Sequence, residues 1–164
     1  MNIFDYNVMV LGFTGDIDSV DGVLSKINNL AGDSVVQLLN ADLIAGRKHI
    51  FHAVYQSVLA FSRNENLAND LGVEICLRCS AQRQISKAFQ LLGLKEGKMN
   101  LCAILLNPNN DILDYLNTCF TRSDDVLLPI ESNLIDTFDI SSEELACYTC
   151  EDIIIDKISR LVVD

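Results

Sequence analysis

Apolar and polar residues alternate at the start of the chain, the pattern of a β-strand with one buried face. The alternation runs from Phe4 to Val10, and the glycine-containing run 12–15 predicts a turn that ends this strand. A second strand is predicted over 34–40. A third is predicted over 99–106, where the apolar run is continuous. A continuous apolar strand is buried on both faces, so we expect the third strand in the centre of a sheet.

Helical spacing of apolar residues appears between and after these strands. The first helix has Asp18 or Ser19 as its N-cap and ends at Gly32. Further helices are predicted over 47–63, 67–79, 81–92, 111–121 and 133–138. In the helix over 81–92, the residues expected to face inward are Ile85, Ala88, Phe89 and Leu92.

A long helix is predicted at the C-terminal end, beginning at Ser141 or Ser142 with acids in its first turn. Its apolar stripe comprises Cys147, Cys150, Ile154, Ile158 and Leu161, and an adjoining set comprises Leu145, Tyr148, Ile153, Ile155 and Val162. The apolar surface is wider than the arc of roughly 100° that a surface helix needs. The helix is therefore either inserted in the core or shared with a partner.

Length and hydropathy indicate one folded domain over residues 1–164. Hydrophobic residues make up 49% of the chain, and no apolar run reaches the roughly 18 residues needed to cross a bilayer. The first residues have no basic segment, and Asp5 interrupts the apolar stretch that a signal peptide requires. We therefore expect a soluble cytoplasmic protein with no membrane contact.

The net charge of −11 argues against nucleic acid binding, but the charge is unevenly distributed. Between residues 43 and 98 there are eight basic and four acidic residues, whereas the remainder has four basic and 19 acidic residues. This asymmetry predicts one basic patch on an acidic body. The alternative is a scatter of solvated charges, because residues close in sequence need not converge in space.

Two CxxC pairs, Cys76/Cys79 and Cys147/Cys150, invite a zinc or disulfide interpretation. The 67 residues between the pairs far exceed the spacing of a compact zinc module, and both pairs lie in helical patterns. Core packing is the third interpretation, and the one we favour. His49 and His52 form an HxxH pair that supplies too few ligands for a metal site, so no metal or cofactor is expected.

Signatures of hydrolases and nucleotide-binding loops are missing from the sequence: it has no GxSxG, HExxH or GxxxxGK[ST]. No acidic pair is marked by spacing as an acid and base couple. We therefore expect a binding protein and not an enzyme.

The segments 40–61 and 66–94 resemble the PRPK-binding protein family. The shared features are an Asp, Gly and His at the start of a long helix, a following helix with Glu, and a Ser-x-x-Arg-Gln-Ile segment leading to Lys-Ala and Gly. They correspond to Asp42, Gly46, His49, Glu74, Ser80, Arg83, Gln84, Ile85, Lys87, Ala88 and Gly93. The CxxC pairs are not part of this resemblance.

The resemblance implies a small mixed α+β domain in which helices pack on a small, largely antiparallel sheet, with a long C-terminal helix. It also implies a non-catalytic subunit of the KEOPS complex, which installs threonylcarbamoyl on adenosine 37 of tRNA. Such a subunit binds the small atypical kinase of the complex, promotes its activity, and binds the single-stranded 3′ CCA end of tRNA.

Candidate RNA contacts lie in the basic segment, because single-stranded RNA is bound by cations along its phosphates and by surfaces on which bases stack. They are His49, Arg78, Ser80, Arg83, Gln84, Lys87, Lys95 and Lys98. Arg78 has an alternative partner in Glu74, four residues earlier.

The candidate kinase contacts are Ile153, Ile154, Ile158 and Leu161 of the C-terminal helix, with support from the helix after Asp18. Two rival hypotheses remain. One is a kinase adaptor that does not bind RNA, and the other is a zinc- or thiol-dependent protein.

Overall fold

A computed structural model of the chain describes residues 1–161. The strands are β1 (Asn2–Ile3), β2 (Tyr6–Ile17), β3 (Val35–Asn40), β4 (Gly97–Leu106) and β5 (Thr121–Arg122). The helices are α1 (Val20–Ala31), α2 (Arg47–Ser62), α3 (Leu71–Ser80), α4 (Ile85–Leu92), α5 (Asn110–Cys119), α6 (Glu131–Phe138), α7 (Ser142–Cys147) and α8 (Cys150–Arg160). Two short 3₁₀ turns occupy Ala41–Leu43 and Asp124–Leu127.

The strands form one antiparallel sheet in the order β1-β2-β4-β3, and β5 pairs with β2. β2 and β4 pair from Val8 opposite Leu106 to Ile17 opposite Gly97. Leu101–Leu106 are completely buried, as expected for a central strand with both faces covered. The predicted α+β fold with a largely antiparallel sheet is therefore confirmed.

The predicted turn over 12–15 is wrong, because β2 continues through both glycines to Ile17. A Cβ at Gly12 would lie 2.5 Å from the Ser123 carbonyl oxygen, and one at Gly15 would lie 2.4 Å from the Phe120 ring. These glycines let neighbouring segments approach the strand closely, a role that glycine has in strands as well as in turns.

Helices cover both faces of the sheet and form two separate cores. On one face, α1 and α5 cover apolar residues that include Phe13 and Leu105. On the other face, α2, α3, α4, α6 and α8 cover a larger core that includes Leu39, Ile104 and Leu106. The sheet is thus the middle layer of three.

The prediction of one long C-terminal helix is wrong in the described residues, because the segment forms two helices. Ser141 begins α7 with a capping box in which Glu144 is the partner. The backbone is extended at Tyr148 and Thr149, and the Thr149 hydroxyl accepts a hydrogen bond from the Asp152 amide at the start of α8. A second N-cap therefore starts a new helix, although the apolar residues of the sequence keep their helical spacing across this point.

Among residues 1–161, no helix is both long enough and apolar enough to cross a membrane.

Candidate functional site

The structure divides the eight candidate RNA-binding residues into a buried group and an exposed group. The buried residues are His49, Arg78 and Ser80. The exposed residues are Arg83, Gln84, Lys87, Lys95 and Lys98. The candidates that RNA could reach in this structure are therefore these five exposed residues.

Arg78 is 1% exposed and forms a buried ion pair with Glu74. Its Nε and Nη2 atoms donate to Glu74 Oε1 at 3.1 and 2.9 Å. Glu74 also accepts hydrogen bonds from the backbone amides of Leu67 and Ala68. The pair therefore fixes the loop before α3 to the helix, and the prediction of Arg78 as an RNA contact is wrong in this conformation.

His49 is completely buried and joins the start of α2 to the end of α3. The Ala45 amide donates to Nδ1 at 3.0 Å, so Nε2 carries the proton and donates to the Cys79 carbonyl at 2.8 Å. The ring also meets Phe138 edge-on, with centroids 5.9 Å apart. Burial lowers the pKa of His49 from 6.5 to about 4, although the bond to Cys79 opposes this shift. The predicted RNA contact at His49 is therefore a structural residue.

Ser80 is also buried, and its hydroxyl donates to the Leu77 carbonyl within α3 at 2.9 Å. This bond leaves the hydroxyl inside the fold. The prediction that Ser80 binds RNA is wrong for this structure.

The start of α4 presents the exposed basic group. Arg83 lies two residues before α4 and Lys87 lies in its first turn, and the Arg83 guanidinium donates to the Leu161 carbonyl at the end of α8. Gln84 is the N-cap of α4, yet its side chain makes no capping hydrogen bond. The amide of Gln84 and the two cations therefore face outward along one segment.

Two apolar side chains of α4 are exposed, contrary to the expected inward face. Ile85 is 45% exposed and Phe89 is 36% exposed, whereas Ala88 and Leu92 are completely buried as predicted. With eight residues and one neighbouring layer, α4 buries only a narrow stripe. Ile85 and Phe89 consequently add an exposed apolar surface to α4, which helical periodicity alone did not reveal.

Lys95 and Lys98 lie beyond the C-terminal end of α4. Lys98 is opposite Asp16 in the β2–β4 ladder, and both line a cleft that also contains Asp42. The acids around this cleft offset the charge of Lys98. Lys98 is therefore less suited to an anionic ligand than Arg83 and Lys87.

The predicted kinase-binding residues of α8 belong mainly to the core. Ile154 and Ile158 are completely buried, and Ile153 is 6% exposed. Leu161 is half-buried at the end of the described helix. The apolar stripe of α8 faces α2, α3 and α6, so the prediction that Ile153, Ile154 and Ile158 contact a partner is wrong.

An exposed apolar cleft lies at the opposite, N-terminal end of α8. Its volume is about 560 Å³, and its lining includes Pro129 and Tyr148 together with the carboxylates Glu131 and Glu151. Leu128 is 66% exposed, Ile130 41% and Tyr148 65%. The sequence analysis missed this surface, although the run 127–130 (Leu-Leu-Pro-Ile) is an apolar segment without helical or strand periodicity.

Three of the six cysteines are buried thiols. Burial raises the pKa of Cys76 and of Cys102 to about 12, and raises that of Cys79 well above its ordinary value. Reactive cysteines have the opposite shift, because the thiolate is the nucleophile and the metal ligand. Packing thus explains the first CxxC pair.

The second CxxC pair has a geometry that disfavours a disulfide. Cys147 ends α7 and Cys150 begins α8, and the two residues between them are extended. Three extended steps separate the two Cα atoms by roughly 10 Å, whereas a disulfide needs less than about 7 Å. Within residues 1–161, no group of three or more His, Cys, Asp or Glu side chains is arranged to hold a metal ion.

An α+β fold with exposed cations at the start of α4 and an exposed apolar cleft is typical of a small binding protein. The chain belongs to the kinase binding protein CGI-121 family, whose sequence model matches residues 16–160. Over 68 residues it is 40% identical to the regulatory protein Cgi121 of Methanocaldococcus jannaschii. This match covers 42% of the chain and 43% of that relative, so it spans less than half of the relative's length.

Acidification should destabilise the fold through His49. Because its pKa is about 4 in the folded state and near 6.5 in the unfolded state, the unfolded state binds more protons between these values. The contribution of neutral His49 to the free energy of unfolding is fully present above pH 6.5. It is lost as the pH falls to about 4, which lowers the free energy of unfolding by roughly 3 kcal/mol. Urea unfolding of the wild type and of His49→Gln from pH 7 to 4 measures the difference. Because the pKa of His52 is also lowered, His52→Gln should remove its own smaller part of the slope and keep the part due to His49. A slope in His49→Gln equal to that of the wild type would contradict this assignment.

Proposed function

We propose that this chain is a non-catalytic accessory subunit of the KEOPS complex in the cytoplasm. It binds the small atypical kinase of that complex, promotes its activity, and recruits tRNA through the 3′ CCA end for threonylcarbamoylation of adenosine 37. The observation that carries the proposal is the match of residues 16–160 to a family of kinase-binding proteins. The description of the Methanocaldococcus jannaschii relative as a regulatory protein supports an accessory role.

The kinase-binding surface in this proposal is the apolar cleft at the start of α8. Leu128 and Tyr148 are the most exposed apolar side chains beside this cleft. Stable protein interfaces are anchored by apolar and aromatic side chains that become buried together. In this proposal the kinase contacts the cleft and not the apolar residues of α8, because those residues are buried in the core.

The RNA-binding surface in this proposal is the exposed side of α4. Arg83 and Lys87 bind phosphates, and Gln84 hydrogen-bonds a base edge or a ribose. Lys95 extends the positive charge beyond the helix, and Lys98 adds less because Asp16 and Asp42 lie in its cleft.

The two proposed surfaces lie at opposite ends of α8. The cleft includes Thr149 and Cys150 at its N-terminal end, whereas Arg83 contacts Leu161 at its C-terminal end. A helix rises 1.5 Å per residue, so Cys150–Arg160 separates them by roughly 15 Å.

A kinase adaptor that does not bind RNA is the second candidate function. The net charge of −11 and the burial of Arg78 favour it, since both reduce attraction for an anionic ligand. Binding to tRNA distinguishes the two functions.

Removal of the 3′ CCA end should weaken tRNA binding at least tenfold at near-physiological salt, as measured by fluorescence anisotropy. Arg83→Glu and Lys87→Glu should each weaken binding of intact tRNA about tenfold, or roughly 1.4 kcal/mol, because a phosphate-binding cation becomes an anion. The matched control is Arg63→Glu, an exposed charge reversal at the end of α2 that should change affinity less than threefold. Equal losses in all three variants would indicate nonspecific attraction, and no binding of either RNA would favour the adaptor.

Tyr148→Asp and Leu128→Asp should each lower the affinity for the kinase subunit at least tenfold, because a charge would enter an apolar contact. Isothermal titration calorimetry with the purified kinase measures this effect. Because both side chains are highly exposed, the substitutions should leave the fold intact. Tyr55→Asp is the control, since Tyr55 stacks on Phe4 in a separate exposed apolar pair. If Tyr55→Asp lowers the affinity and Tyr148→Asp does not, the kinase binds at Tyr55 and Phe4 and not at the cleft.

A further inference from the structure

One long edge of the sheet has no neighbouring strand within residues 1–161. β3 pairs with β4 alone, whereas β2 at the other side pairs with β1 and β5 in addition to β4. Unpaired strand edges present backbone donors and acceptors to any extended chain that approaches.

β3 lacks some of the features that normally protect such an edge, although the start of α3 lies beside it. Its sequence, Val-Val-Gln-Leu-Leu-Asn, contains no charged residue and no proline. Apart from the β4 ladder, the hydrogen bond to its backbone in the described residues is the weak one from the Gln37 side chain to the Leu38 carbonyl, at 3.4 Å. Residues 34–37 are partly exposed, whereas Leu38 and Leu39 are buried, so the outer side of β3 is available for backbone pairing at its N-terminal end.

A groove of about 350 Å³ runs along this edge. Its floor is the segment 34–38, and its walls include Leu24 and Ile27 from α1 and Val73 and Phe89 from α3 and α4. Leu24 is 41% exposed, so one wall offers apolar surface to a ligand. The groove combines an unpaired strand with apolar walls on both sides.

The start of α3 borders the groove closely. A Cβ at Gly72 would lie 3.2 Å from Gln37 Oε1, so the helix begins in close contact with the side chains of the strand. Asp70 is the charged residue among those that line the groove, and its carboxylate caps α3 by accepting from the Val73 amide. An anionic phosphate chain is disfavoured here, and a basic segment is favoured.

We infer that this groove binds an extended, basic peptide segment of a partner protein, which adds to β3 as a further strand. The backbone of the peptide pairs with β3, its apolar side chains contact Leu24 and Phe89, and a Lys or Arg lies near Asp70. The floor 34–38 is about 13 Å long, which accommodates four or five extended residues.

Three capped hexapeptides test this site with the full chain. The first contains four valines and two lysines, the second has glutamates in place of the lysines, and the third is the first with N-methyl groups on alternate backbone amides. We expect saturable binding of the lysine peptide, at least tenfold weaker binding of the glutamate peptide, and loss of binding by the N-methylated peptide. The lysine peptide should also slow hydrogen exchange of amides within Val35–Asn40.

Leu24→Ser should weaken binding of the lysine peptide at least threefold. Ile85→Ser, a matched change of an exposed apolar residue outside the groove lining, should leave it unchanged. The proposal is overturned by absence of saturable binding or by equal binding of the N-methylated peptide. It is also overturned if a uridine oligonucleotide binds and loses affinity in Leu24→Ser, because the groove would then be an RNA site.

Discussion

The burial of β4 on both faces is the constraint on which the remaining structure depends. Leu101–Leu106 have no exposed surface, and the strand is paired on both sides, by β2 and β3. Such a strand requires helices above and below it. The helix pair α1 and α5 meets this requirement on one face, and the larger group with α4 and α8 meets it on the other. The candidate surfaces are therefore outer sides of helices whose inner sides complete the core.

Buried polar contacts then fix α3, the helix that precedes the basic surface. Glu74 and Arg78 hold the loop before α3, and His49 holds the Cys79 carbonyl near its end. Buried polar groups need such partners, because an unpaired group loses its hydration without compensation. Arg78 and His49, which the sequence analysis considered as RNA ligands, thus position the segment that leads to Arg83.

Local patterns in the sequence predicted the order of the elements well. The Ser19 cap, the Gly32 stop and the central position of β4 follow from residues that are neighbours along the chain. The direction of a side chain was harder to predict, since an apolar stripe has the same spacing whether it meets the core, as for Ile154, or a partner. Likewise, the burial of Arg78 depends on the surrounding layers, and the exposed cleft at Tyr148 has no periodic signal.

The central claim is that one small chain holds a kinase and a tRNA at separate surfaces. Sedimentation of labelled tRNA with this chain, with and without saturating kinase, tests it most directly. Our account predicts a ternary complex in which the kinase does not reduce the affinity of the chain for tRNA. Displacement of the tRNA by the kinase would contradict it, because the two partners would then share one surface.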